Sequence, residues 1–196
     1  MNSPRSEAIQ IALAKLALGP VYLDTETTGT GPSDEVIEIG IVDDKGALLF
    51  ESLVKPVGKV TPEARRVHAI TDEMLAAAPR WMVVWPKVEA VLAGRTVCIY
   101  NADFDLRLSQ QTHAKYKMRW LPLDGANFFC VMKLYAQFYG EWNARTGGYR
   151  WQSLEVASRQ CKIALPNAHR TIADSLLTRA LLHHMAGQSS RSDTGQ

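Results

Sequence analysis

The chain has 196 residues, about the size of one large domain. Its 46% hydrophobic and 21% charged residues exclude an intrinsically disordered, collagen-like or coiled-coil protein. A net charge of only +2 excludes a protein that coats long stretches of duplex by charge alone. Neither a membrane span nor a signal peptide is predicted, because no apolar stretch approaches the roughly 18 residues needed to cross a bilayer.

The charges are unevenly distributed along the chain. Residues 1–60 contain 5 basic and 9 acidic side chains, whereas residues 61–196 contain 17 basic and 11 acidic ones. This asymmetry is either scatter over a solvated surface or a carboxylate cluster flanked by side chains that attract phosphate. The counts alone do not choose between these two interpretations.

Cysteine usage indicates the cellular compartment. The three cysteines, Cys98, Cys130 and Cys161, are widely spaced and form no Cys-x-x-Cys pair. This spacing argues against a disulfide framework or a zinc knuckle and predicts a reducing, cytoplasmic environment. Cys98 lies in a strand-like run and Cys130 in an aromatic segment predicted to be helical, and both are expected to be buried as small hydrophobic residues.

The first predicted elements are a helix and three strands. Apolar residues at helical spacing predict an amphipathic helix over 7–18, which a Gly-Pro pair terminates. A short apolar strand over 21–24 follows. Strands over 36–42 and 48–54 are predicted to form an antiparallel hairpin, because the Asp-Asp-Lys-Gly sequence between them favours a turn.

Helices dominate the rest of the chain. Thr61 followed by Pro62, and Thr71 followed by two acids, are typical helix starts. Apolar spacing predicts a helix over 79–92, a strand over 95–100 and helices over 101–111, 126–138, 152–161 and 171–185.

This order of elements predicts a mixed α/β domain without internal repeats or linkers. The domain is predicted to cover residues 20–187. A helical extension over 1–19 precedes it, and a polar tail over 188–196 is predicted to be disordered.

The first motif that suggests chemistry is Asp24-Thr25-Glu26, at the end of the first strand. Residues two apart in an extended strand point to the same side, so both carboxylates could share one cation. Burying two acids side by side is costly unless a metal ion or a proton relieves the repulsion. An exposed acid pair at the end of a loop is the common alternative for this tripeptide, so the motif needs support from elsewhere in the chain.

Three later segments supply that support. An Asn-Ala-Asp-Phe-Asp sequence at 101–105 follows a predicted strand, at the kind of strand-to-helix junction where α/β proteins place site residues. At 169–174 a histidine precedes a helix with an acid on its first turns, and at 67–71 a Val-His-Ala-Ile-Thr sequence lies in a predicted loop before a capped helix. Asp103 and Asp105 are about 200° apart on a helix, so only one of them can face a shared site, and spacing does not choose between them.

In this order and at these separations, the four segments resemble those of the DnaQ-like DEDDh 3′-5′ exonucleases, over residues 20 to about 185. The Tyr-x-Trp-x-Ser-Leu segment at 149–154 is similar to one in the exonuclease X branch. Tyr100 departs from the family, which often has His before Asn-Ala, but this position is not a metal ligand there. The resemblance implies an RNase H-like fold, with a mixed central sheet flanked by helices.

The resemblance also implies a site for two divalent ions, Mg²⁺ with Mn²⁺ as a substitute. Two such ions generate a hydroxide near neutral pH and stabilise charge on the attacking and leaving oxygens, and hard ions prefer oxygen ligands. The family's Phe-Asp pairing selects Asp105 over Asp103. His169 matches the general base, a role that suits histidine near neutral pH. The positions that match the four metal ligands are Asp24, Glu26, Asp105 and Asp174.

Five further positions are expected to bind substrate by the same resemblance. All except Asn101 also have a purely structural interpretation: threonines that form a turn, a loop histidine with a local hydrogen bond, or an apolar residue at a helix start that belongs to the core. The five residues are Thr27, Thr28, His68, Asn101 and Phe104.

The segment over 140–151 combines aromatic and basic side chains. Such a loop suits binding of a single strand by stacking and phosphate contact. The alternative is that the aromatic residues anchor a long loop to the core. The side chains concerned are Trp142, Arg145, Tyr149, Arg150 and Trp151.

Together these features predict a metal-dependent exonuclease that acts on the 3′ end of DNA, preferably single strands or frayed ends, and releases nucleoside 5′-monophosphates. One alternative is an RNA-trimming enzyme of the same superfamily, which would differ in how the site treats a ribose 2′-OH. Another is a non-catalytic subunit that binds nucleic acid or a polymerase. A freestanding enzyme with no membrane partner is expected, and association with a polymerase or a second copy of the chain stays open.

Overall fold

A five-stranded sheet forms the centre of the computed structural model, which describes residues 3–121, 123–164 and 169–188. The strand order is β3-β2-β1-β4-β5. The β1, β2 and β3 strands are antiparallel neighbours, whereas β4 runs parallel to both β1 and β5. The strands are β1 (Val21–Thr27), β2 (Val36–Asp43), β3 (Leu48–Leu53), β4 (Thr96–Ile99) and β5 (Asn127–Cys130).

Helices cover both faces of this sheet, which confirms the predicted mixed α/β fold with a central sheet flanked by helices. As predicted, the hydroxyls of Thr61 and Thr71 cap helices by accepting hydrogen bonds from the third backbone N–H beyond them. The helices are α1 (Pro4–Leu16), α2 (Pro62–His68), α3 (Asp72–Ala76), α4 (Trp81–Leu92), α5 (Ala102–Lys115), α6 (Val131–Tyr139), α7 (Leu154–Gln160) and α8 (Thr171–Ala186).

Successive side chains of β1 point alternately toward the two helix layers that cover the sheet. Val21 and Leu23 pack in a core with α4 and α5, whereas Tyr22 packs in a second core with α1, α6 and α8. Because side chains alternate between the two faces of a strand, Asp24 and Glu26 continue on the α8 side. The intervening threonines continue on the α5 side.

Gly40 allows α8 to lie directly on β2. A Cβ atom at this position would be 2.5 Å from Thr171 Oγ1 and 2.8 Å from Ile172 Cδ1. Real Cβ contacts are essentially never that short, so the first turn of α8 occupies the space that a side chain would need. Ser175 Oγ also donates a hydrogen bond to the Gly40 carbonyl, at 3.4 Å.

Three local predictions are wrong. Residues 127–130 form the edge strand β5 instead of the start of a helix, because their backbone pairs in parallel with β4. Cys130 consequently ends a strand and is half-buried, whereas Cys98 is fully buried as predicted. The Val-His pair at 67–68 ends helix α2 instead of lying in a loop.

The segment over 140–151, predicted as a loop, contains a short hairpin. Its strands are β6 (Trp142–Asn143) and β7 (Gly148–Tyr149), which pair antiparallel. Apart from Gln188, the predicted disordered tail lies outside the described residues. Among the helices of the described residues, none combines the length and the apolar content needed to cross a bilayer.

Candidate active site

The carboxyl end of β1 and the first turn of α8 bring three acids together. Asp24 and Glu26 lie on the β1 face that α8 covers, and Asp174 is the fourth residue of α8. One carboxylate oxygen from each of the three lies within 4.8 Å of the others. Three oxygen donors this close are a set that could hold a divalent cation.

Asp105 approaches the same site from the opposite helix layer. It lies in the first turn of α5 and is 5% exposed, and its Oδ1 accepts a 2.7 Å hydrogen bond from the Thr25 hydroxyl. Asp103 faces solvent and forms an ion pair with Lys133 at 2.6 Å. The helix rotation that sequence could not resolve therefore places Asp105, and not Asp103, at the acids of β1.

All the predicted catalytic side chains line one cavity of about 180 Å³. Tyr100, Phe104 and Leu154 supply apolar walls, and Asn101 lies at the N-cap of α5. The ionisable groups that line it are Asp24, Glu26, Asp105, His169 and Asp174.

Burial and mutual repulsion disfavour the ionised forms of these acids. Burial, followed by the neighbouring charge of Asp105, raises the pKa of Asp24 well above its usual range. Burial and the charge of Asp174 raise the pKa of Glu26 to about 8. Burial also raises the pKa of Asp174, and it raises the pKa of Asp105 to about 7 although the Thr25 hydroxyl opposes the shift. A bound cation would relieve this repulsion, so the donor set fits divalent metal ions.

His169 occupies a tight position just before α8. Its backbone is left-handed, with φ of 73°, a conformation that few residues other than glycine adopt. The residue is exposed, and its side chain lines the cavity. A hydrogen bond from the His169 backbone lowers the pKa of Asp174, which partly offsets the effect of burial.

Sequence reasoning missed Glu38, which holds this turn in place. Glu38 lies on β2 directly across from Glu26 and is 1% exposed. Its carboxylate accepts hydrogen bonds from the Arg170 guanidinium and from the backbone N–H of Thr171, the latter at 3.2 Å. A single acid within the apolar run of β2 was the available signal, because a buried charge requires a partner.

A second cavity, of about 460 Å³, adjoins the first and shares Thr25, Glu26 and Phe104 with it. Thr27 and His68 also line it. His68 is 3% exposed, its Nδ1 accepts a hydrogen bond from the Ile70 N–H at 2.9 Å, and its Nε2 has no hydrogen-bond partner within the described residues. The ring therefore lines the cavity with a buried Nε2.

Thr28 is the predicted substrate-binding residue that lies outside both sets of cavity-lining side chains. Its hydroxyl donates a hydrogen bond to Asp34 at 2.7 Å and accepts one from the Glu35 N–H at 3.0 Å. Its side chain therefore orders the loop after β1.

Comparison with known proteins shows the family of this chain. A family model described as Exonuclease matches residues 21–182. The uncharacterized exonuclease CP81 of Escherichia phage 186 is 36% identical over 173 residues, which cover 85% of this chain and 87% of the phage protein. DNA polymerase III subunit epsilon of Treponema pallidum is 29% identical over 170 residues, which cover 82% of this chain and 75% of the subunit.

A solved structure shows the same fold. Exonuclease X in complex with 5′ overhanging duplex DNA superposes with a TM-score of 0.64 at 26% identity, covering 87% of this chain and 92% of that one. The family match spans most of the sequence, and the sheet and flanking helices agree with a solved exonuclease. The chain therefore belongs to the exonuclease family, as a DnaQ-like hydrolytic exonuclease of the RNase H-like superfamily.

Proposed function

We propose that this exonuclease removes nucleotides one at a time from the 3′ end of DNA, preferably from single strands or frayed ends, and releases nucleoside 5′-monophosphates. The observation that carries the proposal is the convergence of Asp24, Glu26 and Asp174 within 4.8 Å, with Asp105 lining the same cavity. The choice of DNA is supported by the similar exonuclease X structure, which contains DNA.

The four acids would hold two Mg²⁺ ions, or Mn²⁺ in their place. When bound, such ions supply a hydroxide near neutral pH and stabilise charge on the attacking and leaving oxygens. The chain contributes carboxylates that approach from both helix layers, Asp174 from α8 and Asp105 from α5. Because these side chains start from elements anchored in two cores, the ligand geometry is set before substrate arrives.

His169 acts as the general base in this proposal. Its ring lines the cavity beside Asp174 and accepts the proton of the attacking water. The left-handed backbone at His169, and the pairing of Arg170 with Glu38, fix the direction of the ring.

The second cavity would receive the 3′-terminal nucleotide. Its volume of about 460 Å³ falls in the range of small-molecule sites, and it opens onto the acids through Glu26 and Phe104. The buried His68 Nε2 would hydrogen-bond to the nucleotide, and Phe104 would contact its base. Asn101 lines the first cavity, closer to the scissile phosphate.

Degradation of labelled oligonucleotides tests the proposal. DNA and RNA of one sequence, labelled at either end, are incubated with Mg²⁺, Mn²⁺ or EDTA. We expect 5′-labelled DNA to give a ladder that shortens by single nucleotides, and 3′-labelled DNA to release a labelled mononucleotide directly. Asp24→Asn and His169→Ala should be inactive, while the exposed Asp103→Asn serves as the matched control and should retain activity.

Each arm has a result that contradicts one part of the proposal. Cleavage in EDTA, or by Asp24→Asn, would exclude the metal mechanism. A ladder from 3′-labelled DNA would reverse the polarity, and faster degradation of RNA would change the substrate class.

A further inference from the structure

The hairpin between α6 and α7 exposes aromatic surface beside the candidate active site. Trp142 on β6 is 59% exposed, and Trp151, just after β7, is 61% exposed. Tyr149 packs edge-on against Trp142, with ring centroids 5.4 Å apart. Two exposed tryptophans on one short element are unusual for a surface that contacts only water.

The charge on this hairpin is suited to an anionic ligand. Glu141 is neutralised within the hairpin, because it pairs with Arg150 at 3.0 Å and accepts a hydrogen bond from Gln152. Arg145, in the turn, is exposed and belongs to no ion pair within the described part of the chain. The hairpin therefore presents a cation next to aromatic rings.

A direct hydrogen bond connects the hairpin to the first cavity. The Tyr100 hydroxyl, whose residue lines that cavity, donates to the Gln152 carbonyl at 2.8 Å. Leu154, another lining residue, is three positions after Trp151. Three extended residues span at most about 11 Å, so Trp151 lies within about that distance of a residue that lines the cavity of the acids.

The two cavities and the hairpin define a path. The second cavity shares Thr25, Glu26 and Phe104 with the cavity of the acids, whereas the segment just after the hairpin reaches that cavity through the Tyr100–Gln152 hydrogen bond and through Leu154. The cavity of the acids is therefore next to both the second cavity and the hairpin. A strand whose terminal nucleotide fills the second cavity would continue past the acids toward Trp151.

From these contacts we infer that the hairpin over residues 141–151 is a binding site for the single-stranded DNA immediately 5′ of the scissile phosphate. The indoles of Trp142 and Trp151 stack on bases, and Arg145 contacts a phosphate. The groove of about 390 Å³ that Tyr149, Arg150 and Trp151 help to line receives one such base. This inference rests on the proposed exonuclease activity and adds to it the surface that senses substrate length.

Steady-state kinetics on substrates of two lengths tests the inference. The substrates are thymidine 5′-monophosphate p-nitrophenyl ester, which occupies the second cavity and the acids but has no strand on the 5′ side, and a dT12 oligonucleotide. We expect Trp151→Ala to raise the KM for dT12 by about fivefold or more, the effect of losing one stacked base, and to leave hydrolysis of the ester unchanged. Trp151→Phe should restore most of the affinity, and Arg145→Ala should weaken the dependence of dT12 affinity on salt.

Matched controls come from the opposite end of the sheet. Lys45 and Leu48 are exposed beside the turn between β2 and β3, and β2 ends there opposite the first residue of β1. Lys45→Ala and Leu48→Ala should change neither substrate's kinetics. Thermal melting of every variant checks that the hairpin changes leave the domain folded.

The possible failures are distinguishable. If the wild type hydrolyses neither substrate, the proposed function is wrong. If the wild type hydrolyses both but Trp151→Ala and Arg145→Ala keep the wild-type KM for dT12, the hairpin does not bind the substrate strand and the inference is overturned. An equal loss on the ester and on dT12 would also overturn it, because the hairpin would then act only by supporting the acids.

Discussion

Contacts of single residues affect the charge of the acids and hence their ability to bind cations. Asp105 differs from the β1 acids in having a hydroxyl partner, Thr25, at 2.7 Å. That hydrogen bond favours the ionised carboxylate and opposes the effect of burial on its pKa. One buried threonine therefore helps to maintain the charge that a metal ion needs.

Thr25→Val should weaken metal binding with little change in shape. Valine matches the volume of threonine but donates no hydrogen bond, so ionised Asp105 loses its support. The Mn²⁺ concentration that gives half-maximal activity should rise about 10- to 100-fold, as for other outer-shell partners of metal ligands. Thr27→Val is the matched control, because the Thr27 hydroxyl donates to the Gly29 carbonyl and to no acid. An unchanged metal requirement in Thr25→Val would show that the hydrogen bond is dispensable.

Glu26 should make the metal-free protein less stable as the pH rises. Its pKa is about 8 in the folded chain, above the ordinary 4.5, so the folded state holds a proton that the unfolded state releases. This stabilising contribution is fully present below about pH 4.5 and is lost as the pH rises through 8. In EDTA, the melting temperature should decrease over that range, and Mg²⁺ should restore it most strongly at high pH.

Glu26→Gln provides the comparison. The variant should melt higher than the wild type in EDTA at pH 8 and respond less to Mg²⁺, because one repelling carboxylate is gone. A wild-type melting temperature that is independent of pH in EDTA would contradict the proposed state of the acids.

At the scale of elements, the start of α8 is positioned by a partner on β2. Arg170 joins the buried carboxylate of Glu38, 132 residues away in sequence. The two residues flanking Arg170 are His169 and Thr171, so this pair holds both the proposed base and the helix that carries Asp174.

Arg170→Ala should lower both stability and turnover. The variant leaves the buried Glu38 carboxylate with the Thr171 N–H but without the guanidinium that donates to it in the wild type. The free energy of unfolding should therefore fall by about 1–3 kcal/mol. Turnover should fall at least tenfold while KM changes little, because His169 loses its orientation. The control is Arg179→Ala, which removes a hydrogen bond to the Asp44 carbonyl in the turn after β2. Urea denaturation and steady-state kinetics of both variants would separate orientation from stability, and equal turnover in the two would refute the role of Arg170.

A second element-scale feature is the packing of α4 against α5 through His113. Its ring is 2% exposed and makes edge contacts with Trp81, Trp85 and Trp120, at centroid distances of 5.6, 4.7 and 4.7 Å. His113 Nδ1 lies 3.0 Å from Trp81 Nε1 and 2.8 Å from the Ser109 carbonyl oxygen. It makes one of these hydrogen bonds at a time, accepting from the indole or donating to the carbonyl. Burial lowers the pKa of His113, against a smaller opposing effect of its Ser109 hydrogen bond and of Glu89.

His113 should therefore destabilise the fold in mild acid. Because the folded state keeps the ring neutral, the unfolded chain takes up a proton first, and stability is lost as the pH falls below about 6.5. The free energy of unfolding should change less between pH 7 and 5 in His113→Phe than in the wild type. The difference in slope isolates His113 from the acids, and identical slopes would show that it takes up protons equally in the folded and unfolded states.

At the scale of the whole molecule, the sequence predicts how neighbouring residues are arranged but not which residues far apart in the chain pair with each other. Strand alternation was enough to place Asp24 and Glu26 together, because it depends only on neighbouring residues. The strand over 127–130 was missed because its aromatic run continues into α6 without a turn residue, and its partner β4 is about 30 residues earlier. The partner of Glu38 was unpredictable for the same reason, since nothing local to β2 identifies Arg170.

Substitutions in the predicted N-terminal extension can measure how much this helix contributes to the stability of the fold. Ile9 of α1 is 4% exposed in the core that it shares with α6 and α8, and Arg5 lies 3.8 Å over the Phe138 ring. Ile9→Ala should lower the free energy of unfolding by about 2–5 kcal/mol, as for other buried aliphatic residues. Leu18→Ala, at a position 60% exposed, should change it by less than about 0.5 kcal/mol. Similar small effects at both positions would mean that the helix is an appendage.

The absence of a side chain at Gly40, which pairs with Asp24 across β1 and β2, makes the spacing between the acids dependent on a residue that is not itself an acid. The first turn of α8 lies where a Cβ would be, so even a methyl group would push Asp174 away from Asp24 and Glu26. A substitution at this position would therefore disturb the site although all four acids remain. Among natural variants, an intact set of acids would not by itself identify an active copy.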